Sequence, residues 1–333
     1  NMNYPNALEI KKIIDDSKNV LLVLHQNPDP DSIVSNILMS GYLKKNGIDY
    51  RVVCFDRINK NFKEQYDLEY VSDNLDYKKF NFNLYDLFLS LDVNQPQRFG
   101  FDKIPSFKKI INIDHHFTDN GFDCVKINDS SYSSTTEMLF YLLEDFGYKM
   151  SSDELNLVLL GIVTDTNSFS YGASSRVFST VSKLLDMGAN YGKVDTIVYR
   201  NNSIDQLKFW GEGLKRLKID KKYRFAYVAL DLKTMNKYPD ILQGTRTLAD
   251  QFARTVKGTN FCLVMSETRE KYLKISVRSR ETGFGVSDLL KNLNGGGHFD
   301  GGGGRIDLPY KEAVKEALKI TRKFAKSRLK KDA

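Results

Sequence analysis

A short apolar run that ends in an acid and two adjacent histidines is the feature that most constrains the fold. Residues 110–113 read Ile-Ile-Asn-Ile, and Asp114, His115 and His116 follow directly. A short, largely apolar run of this kind predicts a buried strand. In an open α/β sheet, ligands bind beyond the carboxyl ends of the strands. The run therefore predicts a parallel sheet with a polar site at the edge where its strands end.

The chain contains four histidines, His25, His115, His116 and His298, and each lies just past a predicted element beside acids or glycines. A single histidine in such a place is more often structural than functional. Because all four histidines lie in polar or glycine-rich surroundings, a role in chemistry is favoured over a role in packing.

The first half of the chain alternates strand and helix patterns, which predicts βα units and a parallel sheet. The predicted strands are residues 20–24, 50–55, 84–91 and 109–113, and the predicted helices are residues 6–17, 32–45, 133–146, 154–163 and 175–188. We therefore predict an α/β fold in which residues 1–190 form a parallel-sheet domain with helices on both faces.

After a helical stretch, the second half of the chain has a different pattern of predicted strands and helices. Residues 191–217 are predicted to be a helical linker, and residues 218–328 a smaller α/β domain with a mixed sheet. The predicted strands there are residues 225–230, 260–265 and 272–277, with helices at 243–256 and 285–293. A glycine-rich segment, residues 295–304, is predicted to precede the last strand and a terminal helix.

Charge is distributed unevenly between the two halves. Residues 1–190 carry a formal net charge of −7 and residues 191–333 one of +14. An acidic half suits cations and a basic half suits anions, so the division favours a metal-bearing domain and a phosphate-binding one. The alternative is an ordinary lysine-rich surface, above all in the terminal helix.

Several protein classes are disfavoured by composition. No apolar stretch approaches the ~20 residues that span a bilayer, so we expect no membrane partner and a cytoplasmic location. Cys54, Cys124 and Cys262 are far apart and form no CxxC pattern, which argues against a disulfide framework or a thiolate zinc site.

The loop after the first strand offers a first set of candidate ligands. His25, Asp29 and Asp31 place an imidazole and two carboxylates within seven residues, and this combination suits Mn²⁺, Fe²⁺, Co²⁺ or Zn²⁺. The alternative is a simple turn in which Asp31 caps the next helix.

Three more predicted element ends supply further ligands. Asp92 follows the 84–91 run, His115 follows 109–113, and Asp165 follows 154–163. Two histidines and four aspartates at one sheet edge are too many unpaired carboxylates to lie close together without cations. Two metals about 3.5–4 Å apart would satisfy them and would activate a water for attack on phosphorus.

The glycine-rich segment and the basic residues before it form a candidate anion site. Glycines let a backbone approach a phosphate closely and present N–H groups to it, and Arg278 and Ser279 lie shortly upstream. The alternatives are a flexible loop and a strand with exposed basic residues.

Together these motifs resemble the DHH phosphoesterase superfamily. Residues 25–31 are similar to its first motif, Asp92 to its second, residues 114–116 to the signature, and residues 164–166 to its fourth. Residues 294–298 resemble the GGGH motif of the DHH-associated C-terminal domain. The match spans residues 20 to about 310, and the size resembles compact members that degrade very short oligonucleotides and dephosphorylate 3′-phosphoadenosine 5′-phosphate.

The resemblance implies a role for each matching residue. Two Mn²⁺ ions are implied, with Mg²⁺ or Co²⁺ as substitutes. Asp114 would orient a histidine, and His116 would donate to the scissile phosphate or protonate the leaving group. The implied metal ligands are His25, Asp29, Asp31, Asp92 as the bridge, His115 and Asp165; the implied substrate contacts are Arg98, Arg278, Ser279, Gly296, Gly297 and His298.

The expected function is hydrolysis of short oligonucleotides, dinucleotides or phosphonucleotides, with no long duplex nucleic acid as substrate. A second enzymatic interpretation keeps the site and takes polyphosphate or pyrophosphate; stacking by Phe299 or Phe284 would favour a nucleotide instead. A non-catalytic nucleotide-binding regulator would have lost a metal ligand, and none is missing. The sequence leaves the oligomeric state open, a homodimer included.

Overall fold

The structure is a computed structural model that describes residues 3–58, 63–64, 66–101, 103–116, 123–170, 172–239, 241, 244–280, 284–297 and 299–329. It divides into two compact units, unit 1 (Asn1–Asn201) and unit 2 (Asn202–Ala333). The division falls inside the stretch predicted to be a helical linker. Within the described residues, no helix combines the length and apolar character needed to cross a bilayer.

Unit 1 is built on a five-stranded parallel sheet in the order β2-β1-β3-β4-β5. The strands are β1 (Asn19–Leu24), β2 (Asp49–Cys54), β3 (Leu87–Leu91), β4 (Lys109–Asp114) and β5 (Val125–Asn128). The helices are α1 (Ala7–Asp15), α2 (Pro30–Lys45), α3 (Thr135–Asp145), α4 (Ser152–Asp165), α5 (Ser175–Asp186) and α6 (Tyr191–Tyr199). The predicted parallel sheet is confirmed.

The two faces of this sheet are covered differently. One face packs against α1 to α4 in a large apolar core that includes Leu22, Leu38, Leu89 and Leu139. The other face lies under an aromatic cluster contributed by residues 75–107, in which the described cover consists of 3-10 helices and loops. That segment is rich in asparagine and aromatic residues and lacks helical periodicity, so the helices described over this face are short 3-10 helices.

The strand predicted at 84–91 is shorter than expected. Phe82–Leu84 is a 3-10 helix and β3 begins at Leu87. Asp86 sets this start, because its carboxylate accepts hydrogen bonds from the N–H groups of Lys18 (2.9 Å) and Asn19 (3.0 Å) at the beginning of β1. The edge strand β5 was not predicted, because the alternation of Val125 and Ile127 with Lys126 and Asn128 covers only four residues, the lower limit of the pattern that indicates a strand.

Unit 2 is a mixed sheet in the order β10-β11-β9-β8-β7-β6, in which only β7 and β8 are parallel. Its strands are β6 (Lys218–Asp220), β7 (Phe225–Leu230), β8 (Phe261–Arg269), β9 (Tyr272–Ser279), β10 (Gly296–Gly297) and β11 (Gly301–Ile306). Its helices are α7 (Ile204–Lys215), α8 (Leu232–Met235), α9 (Gly244–Thr255), α10 (Ser287–Asn292) and α11 (Tyr310–Leu329). α7 and α9 cover one face, and α10 and α11 cover the other.

The glycine-rich segment, predicted to precede the last strand, itself contains β10 and most of β11, so the alternative of a flexible loop does not hold for these residues. β10 and β11 pair so closely that a Cβ on Gly297 would lie 2.5 Å from the carbonyl oxygen of Gly301, and a Cβ on Gly304 2.7 Å from that of Leu293. Several glycines are therefore required by the approach of backbone to backbone. Gly296 and its cross-strand partner Gly303 are different, since a Cβ on Gly296 would meet nothing and one on Gly303 would meet only ordinary contact distances.

Candidate metal centre

The carboxyl ends of three neighbouring strands in unit 1 bring together most of the predicted ligands. His25 follows β1, Asp92 follows β3, and Asp114 ends β4 with His115 and His116 after it. Because β1, β3 and β4 are adjacent parallel strands, these residues meet at one edge of the sheet. This edge is where the sequence analysis expects the site.

The other predicted ligands come from helix ends. Asp29 is the N-cap of α2 and accepts a hydrogen bond from the Ser32 N–H (3.2 Å), and Asp31 lies in the first turn. Asp29 rather than Asp31 therefore caps this helix, so the capping alternative does not explain Asp31. Asp165 is the last residue of α4.

The ligand atoms face one another at distances longer than a hydrogen bond. His25 Nε2 lies 3.8 Å from Asp29 Oδ1 and 3.7 Å from Asp92 Oδ2. His115 Nε2 lies 3.6 Å from Asp92 Oδ1 and 3.5 Å from Asp165 Oδ2. Separations of this size are expected between groups that surround a common cation. Among the residues that the structure describes, three sets hold their ligand atoms within 4.8 Å of one another: His25, Asp29 and Asp92; Asp31, His115 and Asp165; Asp92, His115 and His116.

Asp92 is central to this arrangement. One of its carboxylate oxygens faces His25 and the other faces His115, so it can contribute to two cation positions at once. Its backbone is left-handed, with φ 62°, a strained conformation for a residue other than glycine. The Asp92 N–H donates to the carbonyl of Ile113 (3.0 Å), which holds the strained turn against β4.

The electrostatics of the metal-free site are unfavourable. Burial raises the pKa of Asp92 well above its usual value, and the nearby Asp31, Asp29, Asp114 and Asp165 raise it further. Burial also raises the pKa of Asp31, against the lowering effects of His115 and Thr136. Cations would relieve this repulsion, and the mixed imidazole and carboxylate donors fit Mn²⁺, Fe²⁺, Co²⁺ or Zn²⁺.

Main-chain and carboxylate contacts orient two of the histidines. His25 Nδ1 lies 2.8 Å from the carbonyl oxygen of Gln26, so Nδ1 carries the proton and the lone pair of Nε2 is available to a cation between it and the carboxylates. His116 Nδ1 lies 2.6 Å from Oδ1 of the fully buried Asp114. This contact leaves His116 Nε2 as the nitrogen that can exchange a proton with a ligand. Asp114 Oδ2 has no hydrogen-bond partner among the described residues.

Arg98 is the predicted substrate contact that lies in unit 1. Its Nη2 is 3.3 Å from His25 Nε2, and its carbonyl oxygen accepts a hydrogen bond from the Gln26 N–H (2.7 Å). The guanidinium therefore lies beside the first ligand set, where it brings positive charge to the edge of the acidic cluster.

The remaining predicted contacts lie in unit 2. Arg278 Nε donates to Asp250 Oδ1 (2.5 Å), and Nη1 donates to the carbonyls of Val277 (2.9 Å) and Gly302 (3.3 Å). Ser279 is buried, and its N–H donates to the carbonyl of Asp300 (2.7 Å). Gly296 and Gly297 form β10. His298 lies outside the described residues.

Two further residues at this site, Thr135 and Thr136, are not among those predicted from the sequence. They begin α3, where their N–H and hydroxyl groups contact Asp31 and Asp92. The run Ser134-Thr135-Thr136-Glu137 predicts the start of a helix. It does not predict the contact with the two aspartates, which depends on the tertiary structure.

Comparison with known proteins agrees with the geometry. Residues 19–162 match the DHH family, N-terminal domain. The uncharacterized protein MG371 of Mycoplasma genitalium is 27% identical over 283 residues, 83% of each chain. The bifunctional oligoribonuclease and PAP phosphatase NrnA of Thermus thermophilus is 26% identical over 312 residues, 90% of each chain.

A solved structure agrees over nearly the whole chain. The exopolyphosphatase-related protein from Bacteroides fragilis matches with a TM-score of 0.84 at 25% identity, covering 96% of this chain and 97% of that one. The fold, the ligand geometry and these matches lead to one conclusion: residues 19–162 form a DHH family N-terminal domain, and the chain is similar over most of its length to the NrnA phosphoesterases.

Proposed function

We propose that the chain uses two Mn²⁺ ions to hydrolyse short oligonucleotides and dinucleotides to mononucleotides, and to remove phosphate from 3′-phosphoadenosine 5′-phosphate. The observation that carries the proposal is the placement of Asp92 between His25 and His115, with an oxygen toward each. The NrnA relative of Thermus thermophilus is an oligoribonuclease and PAP phosphatase, and it aligns over 90% of its length. We also propose a cytoplasmic location, as expected from the sequence.

The proposed ligands divide into two groups. His25 and Asp29 would hold the first cation, Asp31, His115 and Asp165 would hold the second, and Asp92 would contact both. Two divalent cations bound there supply Lewis acidity, since they lower the pKa of water and neutralise charge on a phosphate. The six side chains contribute ligand atoms in fixed positions, and the four aspartates among them contribute negative charge that the cations would balance.

The proposed proton donor is His116. Asp114 holds its Nδ1 proton, so Nε2 is the atom that can donate to a phosphate oxygen or to the departing oxygen of the substrate. Donation from Nε2 requires the imidazole that carries a proton on both nitrogens, since the Nδ1 proton is held by Asp114. Arg98 would contact a phosphate oxygen from the edge of the cluster.

Unit 2 would bind the nucleotide itself. The pair Gly296 and Gly303 leaves a patch of bare backbone without a steric need for glycine at either position, which suits the close approach of a ligand. Phe299, in the loop between these strands, is exposed and can stack on a base. Phe284 instead stacks on Phe261 (5.6 Å between ring centroids) in the apolar core.

A second candidate substrate is inorganic polyphosphate or pyrophosphate. It is favoured by the match to the exopolyphosphatase-related protein from Bacteroides fragilis, which covers 96% of this chain. The proposed metal ligands would serve both reactions, so the two candidates differ only in the substrate that unit 2 accepts. The exposed ring of Phe299 and the bare backbone at Gly296 and Gly303 favour the nucleotide.

The test is a product time course with Mn²⁺ on a panel of substrates: a dinucleotide, a pentanucleotide, a 24-mer, 3′-phosphoadenosine 5′-phosphate, pyrophosphate and polyphosphate. Rapid release of mononucleotides from the two shortest chains, with the 24-mer cut slowly, would support the proposal. Phosphate release from polyphosphate with the nucleotides left intact would contradict it and support the second candidate.

Gly296→Val should raise KM for a dinucleotide by about 10-fold and leave kcat nearly unchanged. The valine side chain would occupy the bare patch and remove binding energy that is equal in the ground state and the transition state. The fold should tolerate this change because a Cβ there meets nothing within 4 Å. Steady-state kinetics check this. The control is Gly211→Val, another unit 2 glycine whose Cβ would meet nothing; equal KM values for the two variants would rule out a role for the patch.

A further inference from the structure

The first turn of α3 lies against two of the proposed metal ligands. Asp31 Oδ2 accepts a hydrogen bond from the Thr135 N–H (2.8 Å), and Oδ1 accepts one from the Thr136 N–H (2.9 Å). The Thr136 hydroxyl also donates to Asp31 Oδ1. The Thr135 hydroxyl donates to Asp92 Oδ1 (3.2 Å). All four residues are buried, so water does not compete for these contacts.

Helix capping does not account for the two threonine hydroxyls. Ser134 is the N-cap, and its side chain accepts the Glu137 N–H (3.0 Å) while its carbonyl accepts the Met138 N–H (3.3 Å). The two remaining N–H groups of the first turn go to Asp31, which lies 104 residues earlier than Thr135. Among the described residues, the two hydroxyls make their hydrogen bonds outside the helix, with Asp31, Asp92 and Ser35.

Tight packing fixes the position of the Thr136 side chain. Its Oγ1 lies 3.1 Å from Ser35 Oγ on α2. Because Thr136 gives its only hydroxyl proton to Asp31, Ser35 must donate to Thr136. On the other side, a Cβ on Gly161 of α4 would lie only 2.6 Å from Thr136 Cβ, so glycine there admits the threonine. Three helices thus hold one hydroxyl in place.

These contacts assign different tasks to the carboxylate oxygens. Asp31 Oδ1 accepts two hydrogen bonds and Oδ2 accepts one, so Oδ2 keeps a lone pair for a cation. Among the described residues, the Thr135 hydroxyl is the group that donates a hydrogen bond to the Asp92 carboxylate. Without it, rotation of this carboxylate would be opposed only by packing.

We propose that Thr135 and Thr136 are positioning residues that hold the carboxylates of Asp92 and Asp31 in the orientation that binds the cations. The inference rests on the proposed function, because it takes both aspartates as metal ligands. Groups that hydrogen-bond to metal ligands commonly change metal affinity by 10–100-fold when they are removed. Loss of the Thr135 hydroxyl should weaken Mn²⁺ binding more than loss of the Thr136 hydroxyl, because Asp31 retains two N–H donors when the Thr136 hydroxyl is lost.

The test measures Mn²⁺ affinity of the metal-free protein by titration, with free Mn²⁺ followed by electron paramagnetic resonance. Thr135→Val keeps the shape of the side chain and removes the hydroxyl. The variant should bind the second, lower-affinity Mn²⁺ ion about 10–100-fold less tightly than the wild type. Thr135→Ser keeps the hydroxyl and should remain within about threefold of the wild type. The matched control is Thr321→Val, which removes a buried hydroxyl that donates to the Ala317 carbonyl in α11; its Mn²⁺ affinity should be unchanged.

Each outcome decides the inference. Equal affinity for Thr135→Val and the wild type would overturn it and leave the proposed function standing. An equally large loss in Thr135→Ser would also overturn it, because the methyl group rather than the hydroxyl would then be responsible. A wild type that binds no Mn²⁺ would overturn the proposed function as well. If Thr135→Val does not fold, Thr135→Ala is titrated in its place against the same two results.

Discussion

Asp92→Asn should lower the rate of dinucleotide hydrolysis by at least about 10³-fold, while the protein stays folded. The substitution keeps the shape of the side chain but removes the charge that faces His25 on one side and His115 on the other. Loss of a ligand shared by two cations removes several kcal/mol of charge stabilisation in the transition state, and each 1.36 kcal/mol corresponds to about a tenfold change in rate. Single-turnover kinetics with saturating Mn²⁺ measure it.

The same variant should make the metal-free protein more stable at neutral pH. Burial and the neighbouring acids raise the folded-state pKa of Asp92 above its usual value of 3.8. A group of this kind contributes stability that is fully present below its unfolded pKa and is lost as the pH rises through its folded pKa. In the metal-free wild type, the melting temperature should therefore fall as the pH is raised from 4 toward 8, by on the order of a few °C.

Asparagine does not ionise, so Asp92→Asn should lose part of this pH dependence and melt higher than the wild type at pH 8 in the presence of a chelator. A variant that is both inactive and less stable at every pH would indicate a disrupted fold. A variant that keeps wild-type turnover would contradict the assignment of Asp92 as a metal ligand.

Removal of divalent cations should abolish hydrolysis and destabilise unit 1, and Mn²⁺ should restore both properties. The reason is the acidic cluster, in which Asp31 and Asp92 are buried at 1% and 2% exposure beside further carboxylates. A ligand that binds only the folded state at 100 times its Kd adds about 2.7 kcal/mol to the free energy of unfolding. Thermal unfolding and the hydrolysis rate are measured on the chelated protein before and after Mn²⁺ addition.

The cation effect should also depend on pH. Carboxylates and imidazoles must lose protons to bind a cation, so the Mn²⁺ stabilisation should grow as the pH rises. The combined variant His25→Ala and Asp165→Ala provides the control, because it removes a ligand from each proposed cation group and should melt at the same temperature with and without Mn²⁺. Full activity in the chelated wild type would contradict metal-dependent hydrolysis.

Much of the site could be predicted because strand ends are visible in sequence. The apolar runs before His25, Asp92 and Asp114 are buried parallel strands, and parallel strands deliver their following residues to a common edge. Local patterns also located the helix that ends at Asp165, although the capping box of Ser151 and Glu154 starts it two residues earlier than predicted.

Other features depend on contacts that local patterns do not contain. The left-handed backbone of Asp92 follows from its hydrogen bond to Ile113 in the neighbouring strand. The contacts of Thr135 with Asp31 and Asp92 join residues 104 and 43 positions apart. Both features require the assembled sheet, so a sequence read locally predicts the ligands but not what holds them.

The glycine-rich segment shows the same limit. Its composition indicates freedom of the backbone, and a loop is the usual consequence. In the structure, the same freedom allows two glycine strands to pair at a distance that side chains would prevent, as at Gly297 and Gly302. From the sequence, the glycines indicate close approach of the backbone to an anion or a flexible loop; the approach of one strand to another depends on cross-strand pairing, which is a long-range property.

The central claim is that two cations act together in hydrolysing a short nucleotide chain, and the most direct measurement is the rate of dinucleotide hydrolysis as a function of Mn²⁺ bound per chain. Metal-free protein is titrated with Mn²⁺, and bound metal and product are determined on the same samples. We expect a rate near the metal-free baseline through the first equivalent and a steep rise as the second binds. Full activity with one ion per chain would contradict the two-cation site, and a wild type that binds two ions but leaves the dinucleotide intact would contradict the proposed substrate.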